Sequence, residues 1–245
     1  MTSGFDPSEY GRHIAEVYDD LHAELSADAA VAVIAGYANG GAVLEFGIGT
    51  GRIARPLAAG GLHVDGIDGS PEMVEQLRRN PWGESLRVEI GDFSTTTLGR
   101  RYAVVVLAYN TINALPSQEA QVQTFRNAAA HLEPSGVFLV ENWVPDVAGF
   151  HRGRAVRAHE LAEGRVLVEV AELHPAVQRI TATRLAFTAD GVRLLPVEHR
   201  YVWPAELDLM ARLAGLHLEE RWQDWDRGPF TDDSSTYVAV YRKDP

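Results

Sequence analysis

A glycine-rich loop that follows a short apolar run is the feature that most constrains this chain. Residues 42–46 lead directly into GIGTG, and residues 52–59 have the pattern of a helix. Glycines permit a sharp turn from strand to helix, and they leave room for a ligand beside the positive end of the helix dipole. The segment therefore predicts a strand, a loop and a helix, with a ligand site at the turn.

Predicted strands and helices alternate from this loop to Pro145. A strand at LHVDGID is followed by a helix that Ser70 and Pro71 open, and then by strands at LRVEIGD and YAVVVLAY. A helix over residues 118–131 and the strand GVFLVEN complete the series. This alternation predicts an α/β fold with a parallel, doubly wound sheet and right-handed crossovers.

Two segments fall outside the alternation. Residues 1–36 carry apolar side chains at helical spacing, and we predict that they form an N-terminal helical lid. Residues 146–201 are predicted to form an inserted antiparallel β patch on the substrate side. The α/β core then covers residues 37–145 and 202–245, and its strands LHLEERW and STYVAVYR are expected to pair at the sheet edge. The strands of the insert are predicted at residues 165–172, 178–187 and 192–201.

Composition limits the kinds of partner. The 245 residues include 22 basic and 34 acidic side chains, which gives a formal charge of −12, and there is no Cys. The charge disfavours nucleic acid as a partner, and the lack of Cys agrees with a reducing compartment. There is no long apolar run and no secretion-signal pattern at the start. We therefore expect a cytoplasmic monomer or homodimer with a small-molecule substrate, no membrane partner and no metal.

A local basic cluster departs from this acidic average. Arg152, Arg154 and Arg157 lie close together in FHRGRAVR. We interpret the segment as a solvated loop. The alternative is that it contacts a phosphate or carboxylate group of a substrate.

The spacing of the glycine loop discriminates between ligands. Dinucleotide dehydrogenases carry glycines at the first, third and sixth positions, but Arg52 occupies the sixth position after Gly47 and Gly49. No Gly-Lys-Ser/Thr follows, so the phosphate loop of nucleotide triphosphatases is also disfavoured. Asp68 ends the second strand, where a carboxylate can hold both ribose hydroxyls of an adenosine group.

A third signal follows the third predicted strand. Asp92 can accept a hydrogen bond from an adenine amino group, while Met73 and Phe93 offer apolar faces to the ring. The alternative for Asp92 is a turn residue that caps its own backbone. Together with the glycine loop and Asp68, the set predicts an adenosine site.

Four segments carry a family resemblance, namely GAVLEFGIGTGRIARPLA, GIDGSPEM, GDF and HLEPSGVFLVENWVP. In this order they resemble the successive motifs of class I S-adenosylmethionine-dependent methyltransferases, and they span residues 41–145. The resemblance implies a Rossmann-like methyltransferase fold with a seven-stranded, mostly parallel sheet. It also implies S-adenosylmethionine as cofactor and S-adenosylhomocysteine as its product.

The resemblance assigns parts of the cofactor to residues. Glu45 and the glycine loop hold the methionine end, Asp68 takes the ribose, Asp92 and Phe93 take the adenine, and residues 108–110 lie beside the sulfonium. Tyr10 and Tyr18 are expected to close over the cofactor from the opening helices. The predicted cofactor-binding residues are Tyr10, Tyr18, Glu45, Gly47, Gly49, Gly51, Asp68, Gly69, Met73, Asp92, Phe93, Ala108 and Asn110.

A finer resemblance concerns the acceptor. The β insert and AEVYDDLH near the start resemble antibiotic-pathway enzymes that N-methylate dTDP-amino sugars or lincosamides, which implies an amine acceptor. Two alternatives stay open, O-methylation of a hydroxyl or carboxylate and a cofactor-binding module without transfer. A nicotinamide dehydrogenase is opposed by Arg52.

Methyl transfer from a sulfonium is an in-line displacement, so the protein mainly aligns the nucleophile and excludes water. Side chains at the carboxyl ends of the strands are the candidates for this work. The predicted catalytic residues are Tyr18, Tyr109, Asn113, Glu141 and His174. The alternatives are a helix cap for Asn113, an ion-pair partner for Glu141 and a structural histidine for His174, which we otherwise predict to accept a proton.

Overall fold

Two β-sheets organise the part of the chain that the computed structural model describes, which comprises residues 8, 11, 15, 18–21, 26–189 and 191–244. One sheet has seven strands and the other has four. The seven-stranded sheet contains β1 Val43–Phe46, β2 Val64–Asp68, β3 Arg87–Ile90, β4 Tyr102–Leu107, β5 Leu132–Trp143, β10 Leu216–Trp222 and β11 Thr236–Lys243. The four-stranded sheet contains β6 Arg154–Ala162, β7 Arg165–His174, β8 Arg179–Thr188 and β9 Gly191–Arg200.

The seven-stranded sheet has the order β10-β11-β5-β4-β1-β2-β3. The five neighbouring strands β5, β4, β1, β2 and β3 pair in parallel. Strand β11 pairs antiparallel with both β5 and β10. The predicted doubly wound, mostly parallel sheet is therefore confirmed. The predicted edge hairpin is also confirmed, with β10 as the outermost strand.

Helices precede or connect these strands in the positions that the sequence signals indicate. The helices are α1 Tyr18–Leu21, α2 Asp28–Ala38, α3 Ala54–Ala59, α4 Pro71–Arg79, α5 Gln118–His131 and α6 Pro204–Leu213. Ser70 caps α4 because its hydroxyl accepts the backbone N–H of Met73 at 3.2 Å, and Ser117 caps α5 in the same way. Gly215 follows α6 with a φ of 73°, a left-handed conformation that glycine adopts without strain.

Core side chains lie on both faces of the seven-stranded sheet. On β4, Val105 belongs to a cluster with residues of α5 and α6, while Val104 and Val106 belong to a cluster with residues of α2 and α3. A continuous apolar strand is what a sheet buried on both faces requires. Each fully buried valine of this kind contributes roughly 1.5–3 kcal/mol through burial.

The four-stranded sheet is antiparallel throughout, with the order β6-β7-β8-β9. Three of its strands were predicted, but β6 was not, because FHRGRAVR was interpreted as a solvated loop. That interpretation is wrong for Arg154 and Arg157, which lie in β6, while Arg152 lies in the preceding turn with a φ of 50°. The Arg157 guanidinium lies 3.4 Å from the Asp146 carboxylate and 4.7 Å from the centroid of the Phe150 ring.

Helix α2 lies across the predicted boundary between lid and core at residue 36. Its buried residues Ala30, Val33 and Ile34 pack into the cluster that also contains Val43 of β1. This part of the predicted lid therefore packs as core, and the other predicted boundaries stay predictions. Among the described residues, no helix combines the length and the apolar character needed to cross a membrane.

Candidate functional site

The glycine loop between β1 and α3 is held by a carboxylate at the end of β2. Asp68 accepts the backbone N–H of Gly49 at 2.7 Å and that of Ser70 at 2.8 Å. Gly47, Gly49 and Gly51 have φ values of 66°, 54° and 83°, which residues with a side chain rarely adopt. A Cβ on Gly49 would meet no atom nearer than 4.0 Å, so the loop presents open backbone on that side.

Two buried oxygen atoms lie near this loop without a donor. Glu45 on β1 is only 5% exposed, and neither its Oε2 nor Oδ1 of Asn110 after β4 has a hydrogen-bond partner among the described residues. Burial raises the pKa of Glu45 to about 8, although the charge of Arg52 opposes the shift. Buried acceptors are almost always paired in proteins, so these two oxygens favour a ligand that brings N–H groups.

The residues after β3 form a turn beside the apolar core. The Oδ1 of Asp92 accepts the backbone N–H of Ser94 at 2.8 Å, so Asp92 does cap its own turn. The Phe93 ring stacks on Phe46 with 5.8 Å between centroids and 20° between planes. Gly69, which follows the loop-holding carboxylate, is half-buried. These groups line the side of the site that was predicted to hold adenine.

The described residues of the N-terminal segment lie against α4. A Cβ on Gly11 would come within 2.0 Å of Ser70 Oγ, so the backbone approaches this helix cap as closely as only glycine allows. Ala15 is buried against Met73, and Tyr18 packs on the same pair. Tyr10 lies outside the described residues. The segment thus covers the end of α4 that follows the Asp68 carboxylate.

Asp19 in α1 joins the same segment to the glycine loop. The buried hydroxyl of Thr50 donates to Asp19 Oδ1 at 2.6 Å, and Asn80 Nδ2 donates to Asp19 Oδ2 at 3.3 Å. Thr50 lies between two glycines of the loop. This contact is a direct connection between the predicted lid and the predicted cofactor site.

Tyr109 and Glu141 meet at the carboxyl ends of β4 and β5. The backbone N–H of Tyr109 donates to Glu141 Oε2 at 2.7 Å, and the N–H of Asn110 donates to the Glu141 carbonyl at 3.1 Å. Burial raises the pKa of the Tyr109 phenol, while the charges of Arg184 and Arg52 lower it. The Arg52 guanidinium lies 5.3 Å from the centroid of the Tyr109 ring. Glu141 therefore positions the strand end that carries Tyr109.

Asn113 and Ala108 are buried around the same strand end. Asn113 is fully buried in the 3₁₀ turn Thr111–Ala114, and its amide lies 2.6 Å from Asn142 Oδ1. With the amide turned over, its nitrogen donates to the Arg200 carbonyl at 3.1 Å. The carbonyl of Ala108 accepts the Thr111 hydroxyl at 2.8 Å. The geometry favours a positioning role for Asn113 within the fold, and its predicted catalytic role stays a prediction.

The four-stranded sheet has two unlike faces. We call the buried one the inner face, which carries Ala155, Ala171, Ala182 and Leu195, and the opposite one the outer face. The inner face packs beside Trp143 at the end of β5. His174, at the end of β7, alternates with the inner-face residues, and its Nε2 lies 3.1 Å from Thr181 Oγ1.

A charged cluster occupies the inner face instead. Glu169 lies 3.2 Å from Arg184, 3.4 Å from His159 and 3.8 Å from Arg157. Burial opposes ionisation of Glu169, but the hydrogen bond and charge of Arg184, together with His159, lower its pKa. The charge of Arg184 also lowers the pKa of the Tyr109 phenol, so the cluster lies within electrostatic range of that residue.

His199 on β9 belongs to the same cluster. Burial lowers its pKa to about 4, and Arg184 acts in the same direction while Glu169 opposes it. Its buried Nδ1 has no hydrogen-bond partner in the described part of the chain. Sequence analysis missed Glu169, Arg184 and His199. The sequence signal that could have indicated them is the presence of charged residues at inward-facing positions of otherwise apolar strands.

No group of three His, Asp or Glu residues within the described ranges is arranged to hold a metal ion. The candidate site consists of the glycine loop, the carboxylates Glu45 and Asp68, the strand end at Tyr109 and the inner-face cluster.

Comparisons with known proteins agree with this arrangement. Residues 43–136 match the family described as a methyltransferase domain. The solved structure of the CcbJ methyltransferase from Streptomyces caelestis is 36% identical, with a TM-score of 0.92, and the match covers 98% of this chain and 100% of that one.

Two curated relatives are also similar over most of their length. The cypemycin N-terminal methyltransferase of a Streptomyces species is 28% identical, and the match covers 97% of this chain and 99% of the relative. The dTDP-3-amino-3,4,6-trideoxy-alpha-D-glucopyranose N,N-dimethyltransferase of Streptomyces venezuelae is 28% identical, with 84% and 90% covered. Sequence, sheet order and overall shape thus agree, and the chain belongs to the methyltransferases.

Proposed function

We propose that this methyltransferase N-methylates a small-molecule acceptor. One relative is by name an N-terminal methyltransferase of cypemycin, and another is an N,N-dimethyltransferase of a dTDP-amino sugar. The observation that carries the proposal is the Arg52 guanidinium 5.3 Å from the centroid of the Tyr109 ring, at the strand end beside the glycine loop, where the charge of Arg184 also lowers the pKa of Tyr109. Positive charge disfavours a protonated amine, so an acceptor bound there keeps its lone pair free.

The residues of the loop edge fit S-adenosylmethionine. The unpartnered oxygens of Glu45 and Asn110 suit the α-ammonium group of its methionine end, and the Asp68 carboxylate suits the ribose hydroxyls. We assign the adenine to the side of Met73 and of the Asp92 turn. When bound, the cofactor supplies an electrophilic methyl group on a sulfonium. The chain's own residues then have to orient the acceptor and exclude water.

The inner-face cluster is the proposed acceptor wall. Glu169 stays ionised between arginines and can hold a hydroxyl or N–H group of the acceptor, and Arg184 keeps the acceptor amine neutral. His199 is neutral because of its low pKa, and its unpartnered Nδ1 can accept or donate one hydrogen bond. After transfer, the methylated nitrogen is a positively charged ammonium group, and it releases one proton to water.

The N-terminal segment is the proposed lid. Asp19 closes on Thr50 of the glycine loop, and Ala15 with Tyr18 closes on Met73. A cover over the loop excludes water from the reacting centre and has to open for the cofactor to exchange. We propose that the segment containing Ala15 and Asp19 performs this movement, and that Tyr18 contacts cofactor or substrate when the lid is closed.

One assay distinguishes nitrogen from oxygen as the acceptor atom. The full chain is incubated with S-adenosylmethionine labelled in the methyl group and a small-molecule extract of its host organism. A second aliquot of the extract is first acetylated in aqueous buffer, under conditions that block primary and secondary amines and leave hydroxyl groups free. We expect a labelled product only with the untreated extract. Labelling that survives acetylation would contradict N-methylation and favour a hydroxyl or carboxylate acceptor.

A further inference from the structure

A buried glutamine of α5 joins two parts of the candidate site. Gln121 is fully buried, and its Nε2 donates to the carbonyl of Ile112 at 3.0 Å and to that of Arg200 at 3.1 Å. Ile112 lies in the 3₁₀ turn that follows Tyr109 at the end of β4. Arg200 ends β9, directly after His199 of the inner-face cluster. One amide group therefore connects the strand end that carries Tyr109 with a strand that carries part of the cluster.

The Arg200 side chain completes this joint from the other side. Arg200 is 7% exposed, and its guanidinium donates to side-chain oxygens of Gln121, Gln178 and Glu206, the last at 2.8 Å. Burial opposes ionisation of Glu206, but the hydrogen bonds from Gln178 and Arg200 lower its pKa. A buried charge pair resists rearrangement, because loss of one partner leaves the other charge uncompensated. The joint therefore fixes the end of β9 against α5 and α6.

Alternation along β9 directs Arg200 away from the inner-face cluster. Successive side chains of a strand point to opposite faces, and His199 belongs to that cluster. Arg200, one residue later, points toward the helices that its hydrogen bonds reach. Any influence of Gln121 and Arg200 on the acceptor therefore acts through the backbone of β9.

We propose that Gln121 is a positioning residue, which through its joint with Arg200 sets the distance between the inner-face cluster and the strand end at Tyr109. This role rests on the proposed function, because it takes the cluster as the acceptor wall. In-line displacement requires close alignment, and a misplacement of about 1 Å can cost on the order of a hundredfold in rate. Gln121 thus controls the alignment of the acceptor and is not a catalytic residue.

A second buried amide of α5 provides a matched control. Asn127 is 4% exposed, and its Nδ2 donates to the carbonyls of Phe93 and Thr96, both at 2.8 Å. These carbonyls lie in the turn after β3, on the side assigned to the adenine. Gln121 and Asn127 therefore make the same kind of bond from one helix to different parts of the site. Loss of either amide removes a donor from two backbone carbonyls, so a general effect on stability would appear in both variants.

A distance measurement tests the positioning without any turnover. Because the chain has no Cys, Leu194→Cys on β9 and Glu119→Cys on α5 give two unique attachment points for spin labels, both at exposed side chains. The doubly labelled protein is diluted with unlabelled protein, so that only the coupling within one chain is recorded. We expect one narrow distance distribution in otherwise unmodified protein and in Asn127→Leu, and a broader or displaced one in Gln121→Met. An unchanged narrow distribution in Gln121→Met would overturn the proposal.

A second variant decides the question if Gln121→Met fails to fold. Gln121→Glu keeps the size of the side chain and the oxygen that faces Arg200, but it loses the N–H groups that hold the carbonyls of Ile112 and Arg200. We expect it to change the distance distribution in the same direction as Gln121→Met. A distribution identical to that of the unmodified protein would overturn the proposal as well.

Kinetics with the acceptor found in the labelling assay test the consequence for transfer. At saturating S-adenosylmethionine, Gln121→Met should lower kcat/KM for the acceptor by about tenfold to a hundredfold, while the dissociation constant of S-adenosylhomocysteine changes by less than about twofold. Asn127→Leu should show the opposite split, with weaker binding of S-adenosylhomocysteine and a nearly unchanged kcat/KM. The same loss of kcat/KM in both variants would overturn the proposal, since it would indicate a general effect on stability. An oxygen acceptor, or no transfer at all, would contradict the proposed N-methylation alone, because the distance measurement still decides the role of Gln121.

Discussion

The Asp68 carboxylate accepts the backbone N–H of Gly49 at 2.7 Å, which joins the loop after β1 to the end of β2. The same carboxylate is proposed to hold the ribose, so it shapes the loop and binds the ligand at once. We expect Asp68→Ala to weaken binding of S-adenosylhomocysteine by about 1.5–3 kcal/mol, the range for hydrogen bonds to a charged group. It should also lower the free energy of unfolding, because two backbone N–H groups lose their acceptor.

Asp68→Asn separates the two effects. The amide oxygen can still accept one of the two backbone N–H groups, so part of the stability should return, while binding stays weak because the charge is lost. Calorimetric titration and urea unfolding of both variants measure the two quantities. Normal binding by Asp68→Ala would show that the ribose assignment is incorrect.

Glu45 makes stability depend on pH. Its pKa is about 8 in the folded protein, whereas the pKa of a glutamate in an unfolded chain is about 4.3. The folded state therefore holds a proton that the unfolded state releases, and this contribution to stability is lost as the pH rises through that interval. Between pH 5 and pH 8 we expect a loss of roughly 2–4 kcal/mol.

Glu45→Gln removes this titration and keeps the shape. Asp68 has a raised pKa as well, from burial, but it is present in both proteins and cancels in the comparison. Urea unfolding at pH 5 and pH 8 should show that unmodified protein loses more stability than Glu45→Gln. Equal losses in the two proteins would contradict the assignment of a buried, protonated Glu45.

The contact between Thr50 and Asp19 is expected to hold the proposed lid closed. Thr50→Val keeps the buried volume but removes the hydrogen bond to a carboxylate, which is worth about 1.5–3 kcal/mol. Release of S-adenosylhomocysteine, followed by stopped-flow, should become faster by roughly tenfold or more. Thr236→Val is the control, because it removes a hydroxyl hydrogen bond on β11. Equal release rates in all three proteins would mean that this contact does not control the lid.

Arg184 is expected to set the pH dependence of transfer. Its positive charge lowers the pKa of a bound amine, so Arg184→Gln should shift the pH profile of kcat upward by roughly half a unit to one unit. Arg193→Gln changes an exposed arginine of the same sheet and should leave the profile in place. The profiles are measured with the acceptor found in the labelling assay. An unshifted profile for Arg184→Gln would remove Arg184 from the acceptor wall.

Local signals predicted the core of the fold because they act over a few residues. Helix α5 begins and ends where the sequence indicated, since Ser117 caps its start, and β4 was evident from its unbroken apolar run. Strand β6 was missed for a physical reason. A bulge between Ala158 and Glu160 interrupts its alternation, and inward-facing charges such as Arg157 make it resemble a loop.

The site divides in the same way. The glycines and Asp68 follow directly from strand ends, whereas Glu45 was predicted from the family resemblance. The inner-face cluster depends on the register of four strands, and a shift of one residue would exchange its two faces. Sequence reasoning therefore chose His174, which alternates with the inner-face residues, and missed His199, which belongs to the inner-face cluster.

Binding of S-adenosylhomocysteine, with the released protons counted, tests the central claim most directly. Calorimetric titration at pH 7 in two buffers of different ionisation enthalpy gives both quantities. A ligand ammonium beside Glu45 favours the ionised carboxylate, so the full chain should bind one ligand and release close to one proton. Glu45→Gln should bind more weakly and release none. Folded protein that takes up no ligand, or binding with the same proton release in both proteins, would contradict this account of the site.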